Sequence, residues 1–153
     1  MGKSLKILLF MYILTRLSFA QDIINPGIYC HRGGNGKFTL NLNTQVLGVN
    51  SLYSERERRK MFDSEKESDH NMLGLEGSYL QFIPTETTNG YLNVKAHDPR
   101  TKTLINMNIK DIEQLISGER SKVNGDVTIF SFDIDPNSMF QEYRTSVRCE
   151  LEN

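Results

Sequence analysis

Apolar and polar residues alternate with a period of two along several short stretches of this chain. The alternation is clearest at 38–43, 92–96 and 128–134. In the last of these it places Phe130, Phe132 and Ile134 on one side. This pattern puts one set of side chains on a buried face and the other in solvent, which indicates β-strands. We therefore predict an all-β, single antiparallel domain of about eight or more short strands.

Three Asn-Gly pairs divide the alternating stretches, at 35–36, 89–90 and 124–125. Asn-Gly favours two-residue hairpin turns because both central residues of such a turn take positive φ. Each pair therefore predicts a tight turn between antiparallel strands. Strands and turns of this kind suit a β-sandwich or a β-trefoil-like fold, and the pattern leaves both open.

Two segments depart from the alternation. Segment 54–70 contains six acidic and five basic residues, and only Met61 and Phe62 could bury a face. It is predicted to be a charged exposed loop, with a solvated helix as the alternative. Segment 109–117 has apolar residues at helical spacing and ends before Gly118. It predicts one short helix that a glycine terminates.

The first twenty residues have the features of a secretory signal peptide. Two lysines precede an apolar run at 7–14, and the small residues Ser18 and Ala20 follow it. The run is too short for a membrane-spanning helix, which needs about 20 apolar residues. We expect 1–20 to be a signal peptide and 21–153 to be a single secreted domain without a further membrane insertion.

The chain contains two cysteines, Cys30 and Cys149, with 118 residues between them. Two cysteines tend to pair in an oxidising compartment, so we predict a disulfide. Val147, Cys149 and Leu151 share one face of the predicted last strand, which points Cys149 inward. Two free thiols are the alternative. A cysteine nucleophile is less well supported, because His31 beside Cys30 in sequence does not provide the geometry of a base.

The charge of the chain argues against two classes of partner. The 18 basic and 19 acidic residues include three bases and no acid within 1–20, so the remainder has a net charge of −4. Nucleic acids and anionic membranes require a concentrated basic surface, and no such cluster dominates the sequence. We therefore expect neither as a partner.

Arg56, Arg58 and Arg59 fit the Arg-x-Arg-Arg pattern that proprotein convertases cut. The acidic cleft of such a protease pairs with several arginines at fixed spacing on an extended, exposed segment, and exposed loops are where nicking concentrates. The alternative is a charged surface segment without processing, because acidic residues flank the arginines.

No motif for catalysis, phosphate binding or metal binding occurs in the chain. The three histidines, at 31, 70 and 97, lack metal-ligand spacing. We predict a non-enzymatic protein without cofactor or metal that binds an extracellular or cell-surface protein, as a cytokine-like ligand or decoy. The alternative is a β-sandwich module for carbohydrate or lipid, with an aromatic platform from Tyr53, Tyr79 or Tyr91.

Several segments resemble the interleukin-1 family of secreted β-trefoil cytokines and antagonists. Leu73-Gly74-Leu75-Glu76-Gly77 with the apolar run that follows is similar to a hairpin of that family. Segments 103–112, 130–132 and 139–142 resemble the strands and the short helical turn that come next. The similarity extends over about 38–150 and implies a trefoil that acts on a receptor. It identifies no receptor-binding residues.

Overall fold

The computed structural model describes residues 27–33, 35–85, 90–131 and 141–152. The predicted signal peptide, 1–20, lies outside them. The described residues form eight strands and three helices. The strands are β1 (Gly27–Arg32), β2 (Asn35–Asn41), β3 (Val46–Ser51), β4 (Ser78–Thr85), β5 (Tyr91–Asp98), β6 (Thr103–Lys110), β7 (Val123–Ser131) and β8 (Gln141–Leu151). The helices are α1 (Glu55–Phe62), α2 (Glu67–Leu75) and α3 (Ile112–Ile116).

The eight strands form one closed barrel in sequence order. Each strand pairs antiparallel with the next, and β8 pairs antiparallel with β1. The predictions of an all-β class and of about eight antiparallel strands are confirmed. The closed barrel is not clearly either of the arrangements that the sequence left open, the sandwich and the trefoil. Alternation shows which face of a strand is buried, but it carries no information on how the sheet curves and closes.

Side chains that alternate along each strand fill the interior of the barrel. An eight-stranded barrel is narrow enough for side chains to occupy its interior. Burying one large apolar side chain contributes about 1.5–3 kcal/mol, so this core is the main source of stability. Its fully buried members include Ile28, Phe38, Leu40, Leu47, Val49, Val94, Ile105, Met107, Ile109, Val127 and Ile129.

Helices cover the two ends of the barrel. Successive antiparallel strands run in opposite directions, so the connection after β3 and the connection after β6 lie at opposite ends. At the first end α2 buries Met72 and Leu75, and at the second α3 buries Ile112 and Leu115. The helices thereby extend the apolar core beyond the strands.

The charged segment 54–70 contains α1 and the first turn of α2, with residues 63–66 between them. The prediction of a long exposed loop is therefore wrong, and the alternative of a solvated helix holds for α1. Ser54 begins α1 with a capping box, in which its side chain accepts from the backbone N–H of Glu57 and the Glu57 carboxylate accepts from the backbone N–H of Ser54. None of the residues of α1 is buried. The helix is therefore stabilised by local hydrogen bonds at its N-terminus, and not by the burial of an apolar face.

The short helix predicted at 109–117 is present as α3, and Gly118 follows it with φ +78°. Ile109 belongs to β6 instead. The Asn124-Gly125 pair lies inside β7, so the turn predicted there is wrong. A Cβ on Gly125 would lie 2.8 Å from the backbone oxygen of Asn108. The glycine allows β6 and β7 to approach each other.

The other two Asn-Gly pairs lie near hairpins. Asn35-Gly36 forms the start of β2, just after the turn that follows β1, so it is not itself the two-residue turn that was predicted. Gly90 has φ +77° immediately before β5, while Asn89 lies outside the described residues. In β7, Val127 and Ile129 face the core, and Phe130 lies on the outer face.

Candidate binding surface and the contacts that support it

The predicted disulfide between Cys30 and Cys149 is present. The two residues lie directly opposite each other on β1 and β8, with 4.0 Å between their Cα atoms, and both are fully buried. The bond therefore joins the first strand to the last at the position where the barrel closes. With both sulfurs in this bond, neither cysteine is available as a nucleophile.

Glu76 is the centre of a polar cluster at one end of the barrel. Its Oε1 accepts hydrogen bonds from the backbone N–H groups of Leu52 and Tyr53, at 2.8 and 3.1 Å. Its Oε2 accepts from Nε of Arg58 at 2.8 Å. Because Glu76 is the C-cap residue of α2, the carboxylate connects the chain after β3 and helix α1 to the end of α2.

The contacts of Glu76 also determine its charge state. Burial by itself would raise the pKa of Glu76. The hydrogen bonds from the Arg58 guanidinium and from the backbone of Leu52 and Tyr53 favour the ionised form more strongly. The pKa of Glu76 is therefore held below its ordinary value, and the carboxylate is charged at neutral pH.

Two tyrosines complete the cluster. The Tyr143 hydroxyl donates to the backbone oxygen of Leu52 at 3.1 Å. The rings of Tyr53 and Tyr143 meet edge to face, with 5.5 Å between their centroids. Burial raises the pKa of both hydroxyl groups. Tyr53 is therefore a supporting residue and does not belong to an exposed platform.

The three arginines of the predicted processing site lie on α1. Arg58 pairs with Glu76, Arg59 pairs with Glu55, and Arg56 is exposed. The expectation that they lie on an extended loop is wrong. A protease that binds extended substrates would require local unfolding of α1 before it could cut after Arg59. Processing stays a prediction.

The other two tyrosines named as a possible platform are separated. Tyr79 lies on β4 and borders a groove over β2, β3 and β4, whereas Tyr91 lies on β5 and borders a groove over β5 to β8. Tyr53, Tyr79 and Tyr91 consequently do not form one surface. Each groove has a single tyrosine at its edge.

The outer face of β4 exposes two large apolar side chains. Tyr79 is 74% exposed and Ile83 is 71% exposed, with Gln81 between them. Three residues lie between Tyr79 and Ile83 on one strand, so the two positions are about 13 Å apart. We call Tyr79, Gln81 and Ile83 the β4 stripe. Sequence reasoning missed Ile83 because both faces of this strand carry apolar residues.

The Tyr79 ring packs over Gly48 of the neighbouring strand. Gly48 lies directly opposite Tyr79 on β3, and a Cβ built on Gly48 would be 3.2 Å from Cε1 of Tyr79. The ring therefore lies across a position that has no side chain. One face of the ring is supported by backbone, and most of its surface is open to a partner.

The histidines lie apart from one another. The His31 ring stacks on that of Tyr29 with 5.2 Å between centroids, and Nε2 of His70 lies 2.6 Å from the backbone oxygen of Ser64. His97 is exposed opposite Leu104. Within the described ranges, no group of three or more His, Cys, Asp or Glu side chains could hold a metal ion. The helices in these ranges are too short or too polar to cross a membrane.

No protein-family model matches the chain, and neither the curated proteins nor the solved structures include a significant match. The resemblance to the interleukin-1 family therefore stays a prediction. In the structure the segment Leu73–Gly77 forms the end of α2 and the turn before β4, and the segment 103–112 forms β6 and leads into α3.

Proposed function

We propose that this protein is a secreted, non-enzymatic domain that binds an extracellular or cell-surface protein, as a cytokine-like ligand or as a decoy. The proposal rests on the β4 stripe, where Tyr79 and Ile83 expose most of their apolar surface. The two side chains share one face of β4, about 13 Å apart along the strand. A face that exposes several apolar side chains marks a site of interaction more often than a single exposed residue does.

The chemistry of the stripe suits a protein partner. Tyrosine is enriched in protein interfaces, because its ring provides a large contact area and its hydroxyl provides a hydrogen bond. Lys95 lies directly opposite Ile83 on β5. A matching partner would offer an apolar pocket for Ile83 and an acidic or carbonyl acceptor for Lys95.

The scaffold beneath the stripe is rigid. Residues 78–81 of β4 pair with β3 on one side, and residues 82–85 pair with β5 on the other. A surface that is already ordered loses little conformational entropy when it binds. The buried disulfide between Cys30 and Cys149 supports the assignment to an oxidising, extracellular compartment.

The test is a binding screen with the full chain produced by a secretory host. A panel of immobilised extracellular and cell-surface ectodomains is compared for the wild type and for the Tyr79→Ser/Ile83→Ser variant. We expect saturable binding to a defined ectodomain, weakened at least about 30-fold in the variant, as is typical when hot-spot side chains are lost.

Tyr91→Ser is the matched control, because Tyr91 is a partly exposed tyrosine on another part of the outer wall. It should bind the ectodomain as the wild type does. Absence of saturable binding across the panel would contradict the proposal, as would equal losses in the control and in the β4 variant.

A further inference from the structure

The groove beside Tyr91 is an open, mostly polar depression in the outer wall of the barrel. It has a volume of about 290 Å³ and lies over β5 to β8. This volume is just below the usual range for small-molecule sites, roughly 300–1,000 Å³, so the groove suits only a small ligand. Its polar and aromatic lining consists of Tyr91, Asn108, Lys110, Asn124, Asp126 and Ser146. We call it the Tyr91 groove.

Hydrogen bonds orient Asn108 in this groove. Nδ2 of Asn93 donates to the Oδ1 atoms of both Asn106 and Asn108. This contact fixes the orientation of the Asn108 side-chain amide. Asn108 itself lines the groove, so one of the polar groups of the lining is held in place.

A hydrogen bond also orients the carboxylate of Asp126. The Ser146 hydroxyl donates to Oδ1 of Asp126 at 3.0 Å. Within the described part of the chain, Oδ2 of Asp126 has no hydrogen-bond partner and Lys110 forms no ion pair. The groove therefore presents an oriented acceptor together with a cation that is not held in an ion pair within the described residues.

We propose that the Tyr91 groove binds a neutral hexopyranose unit of a glycan. Sugar hydroxyl groups both donate and accept hydrogen bonds, and the groove offers amide and ammonium donors beside the Asp126 carboxylate. The C–H face of a pyranose ring carries partial positive charge, which suits the negative face of the Tyr91 ring. One cation and one anion leave the groove without net charge, which disfavours a phosphate or an acidic sugar.

This activity is independent of the proposed protein binding. The β4 stripe and the Tyr91 groove involve different side chains, and Tyr79 borders a separate groove over β2 to β4. The domain would thus have one surface for a protein and another for a sugar. Loss of either activity can be measured without loss of the other.

The experiment is an NMR titration of the full chain with the methyl glycosides of glucose, galactose and mannose and with N-acetylglucosamine. An open groove that covers one face of a single ring should give a Kd of about 1 mM. We expect saturable shifts at the backbone amides of Gly125 and Ser146 with at least one of these sugars. Tyr91→Ala and Asp126→Asn should each weaken this binding at least tenfold, with an unchanged melting temperature.

Tyr79→Ala is the matched control and should bind the sugar as the wild type does. The proposal is wrong if none of the four sugars gives a saturable shift. It is also wrong if Asp126→Asn binds as well as the wild type, or if Tyr79→Ala abolishes the binding. A glycan array on which only acidic glycans bind would overturn the assignment to a neutral sugar.

Discussion

Cys30 on β1 and Cys149 on β8 lie directly opposite each other, and the disulfide between them crosses the seam at which the barrel closes. Among the other neighbouring strands, β3 and β4 are connected through α1 and α2, and β6 and β7 are connected through α3. Strands β1 and β8 are at opposite ends of the described chain. The bond thus links covalently the pair of strands that is most distant in sequence.

Removal of the bond should destabilise the barrel substantially. The Cys30→Ala/Cys149→Ala variant leaves no unpaired thiol, and we expect it to lower the free energy of unfolding by about 2–5 kcal/mol. Urea unfolding measures the difference. Reductant should lower the stability of the wild type but not that of the variant. A loss below about 1 kcal/mol would show that strand pairing alone holds the seam.

Glu76 should contribute more to stability than its single ion pair suggests. Glu76→Ala removes the acceptor for Leu52 and Tyr53 as well as the partner of Arg58, and we expect a loss of about 2–3 kcal/mol. Urea unfolding again provides the measurement. The control is Glu55→Ala, which removes an exposed ion pair with Arg59 and should cost less than about 1 kcal/mol. Equal losses would argue against a central role for Glu76.

The contribution of Glu76 should depend on pH. Its pKa is lowered in the folded state, so the unfolded chain binds more protons in the acidic range, and stability decreases as pH falls. The stability difference between the wild type and Glu76→Gln should be fully present above the unfolded pKa of about 4.5. It should shrink as pH falls through the lower folded value. A difference that persists unchanged at pH 3 would contradict this assignment.

The arginines on α1 should be poorly accessible to a convertase while the helix is intact. We expect slow cleavage after Arg59 in the wild type and faster cleavage in Glu76→Ala, because that variant releases Arg58. Mass spectrometry after incubation with a purified convertase measures the rate. Non-reducing conditions should keep the pieces joined through Cys30 and Cys149. Arg59→Ala is the uncut control, and equal rates in wild type and Glu76→Ala would contradict the role of this contact.

Gly125 should resist substitution. A Cβ at this position would lie 2.8 Å from the Asn108 backbone oxygen, which cannot move without disturbing the pairing of β6 with β7. We expect Gly125→Ala to cost about 1–3 kcal/mol, a cost typical of overpacking. Thermal unfolding measures the cost. The exposed neighbour provides a control, since Asn124→Ala should change stability by less than about 0.5 kcal/mol.

Several features of the fold could be predicted from local pattern. The alternation at 92–96 correctly indicated that Leu92, Val94 and Ala96 share a face, which is buried. The helical spacing at 109–117 correctly predicted a short helix, which the structure has at 112–116. These predictions succeed because burial on one face imposes a period that neighbouring residues display by themselves. The pairing of the two cysteines followed in the same way from their number and from the inward position of Cys149.

The errors arose where a contact between distant residues overrides local preference. Asn124-Gly125 has the composition of a turn, but the approach of Asn108 makes it part of β7. The approach of Asn108 is not visible from the residues on either side of Gly125. The alternation at 128–134 placed Phe130 on one side of the strand without showing which side is buried, and only the pairing of β7 with β6 and β8 puts Phe130 on the outer face.

The sequence by itself determined the class of this protein. Its antiparallel strands, its disulfide and the glycine that ends α3 all follow from local periodicity and composition. Only the tertiary structure decided that the strands close into a barrel, that Glu76 joins α1 to the end of α2, and that Tyr79 and Ile83 are exposed on one face of β4. The physical reason is that closure, register and exposure depend on pairing between residues far apart in the chain. Periodicity shows which face of a strand is buried, but it does not show which distant strand pairs with it.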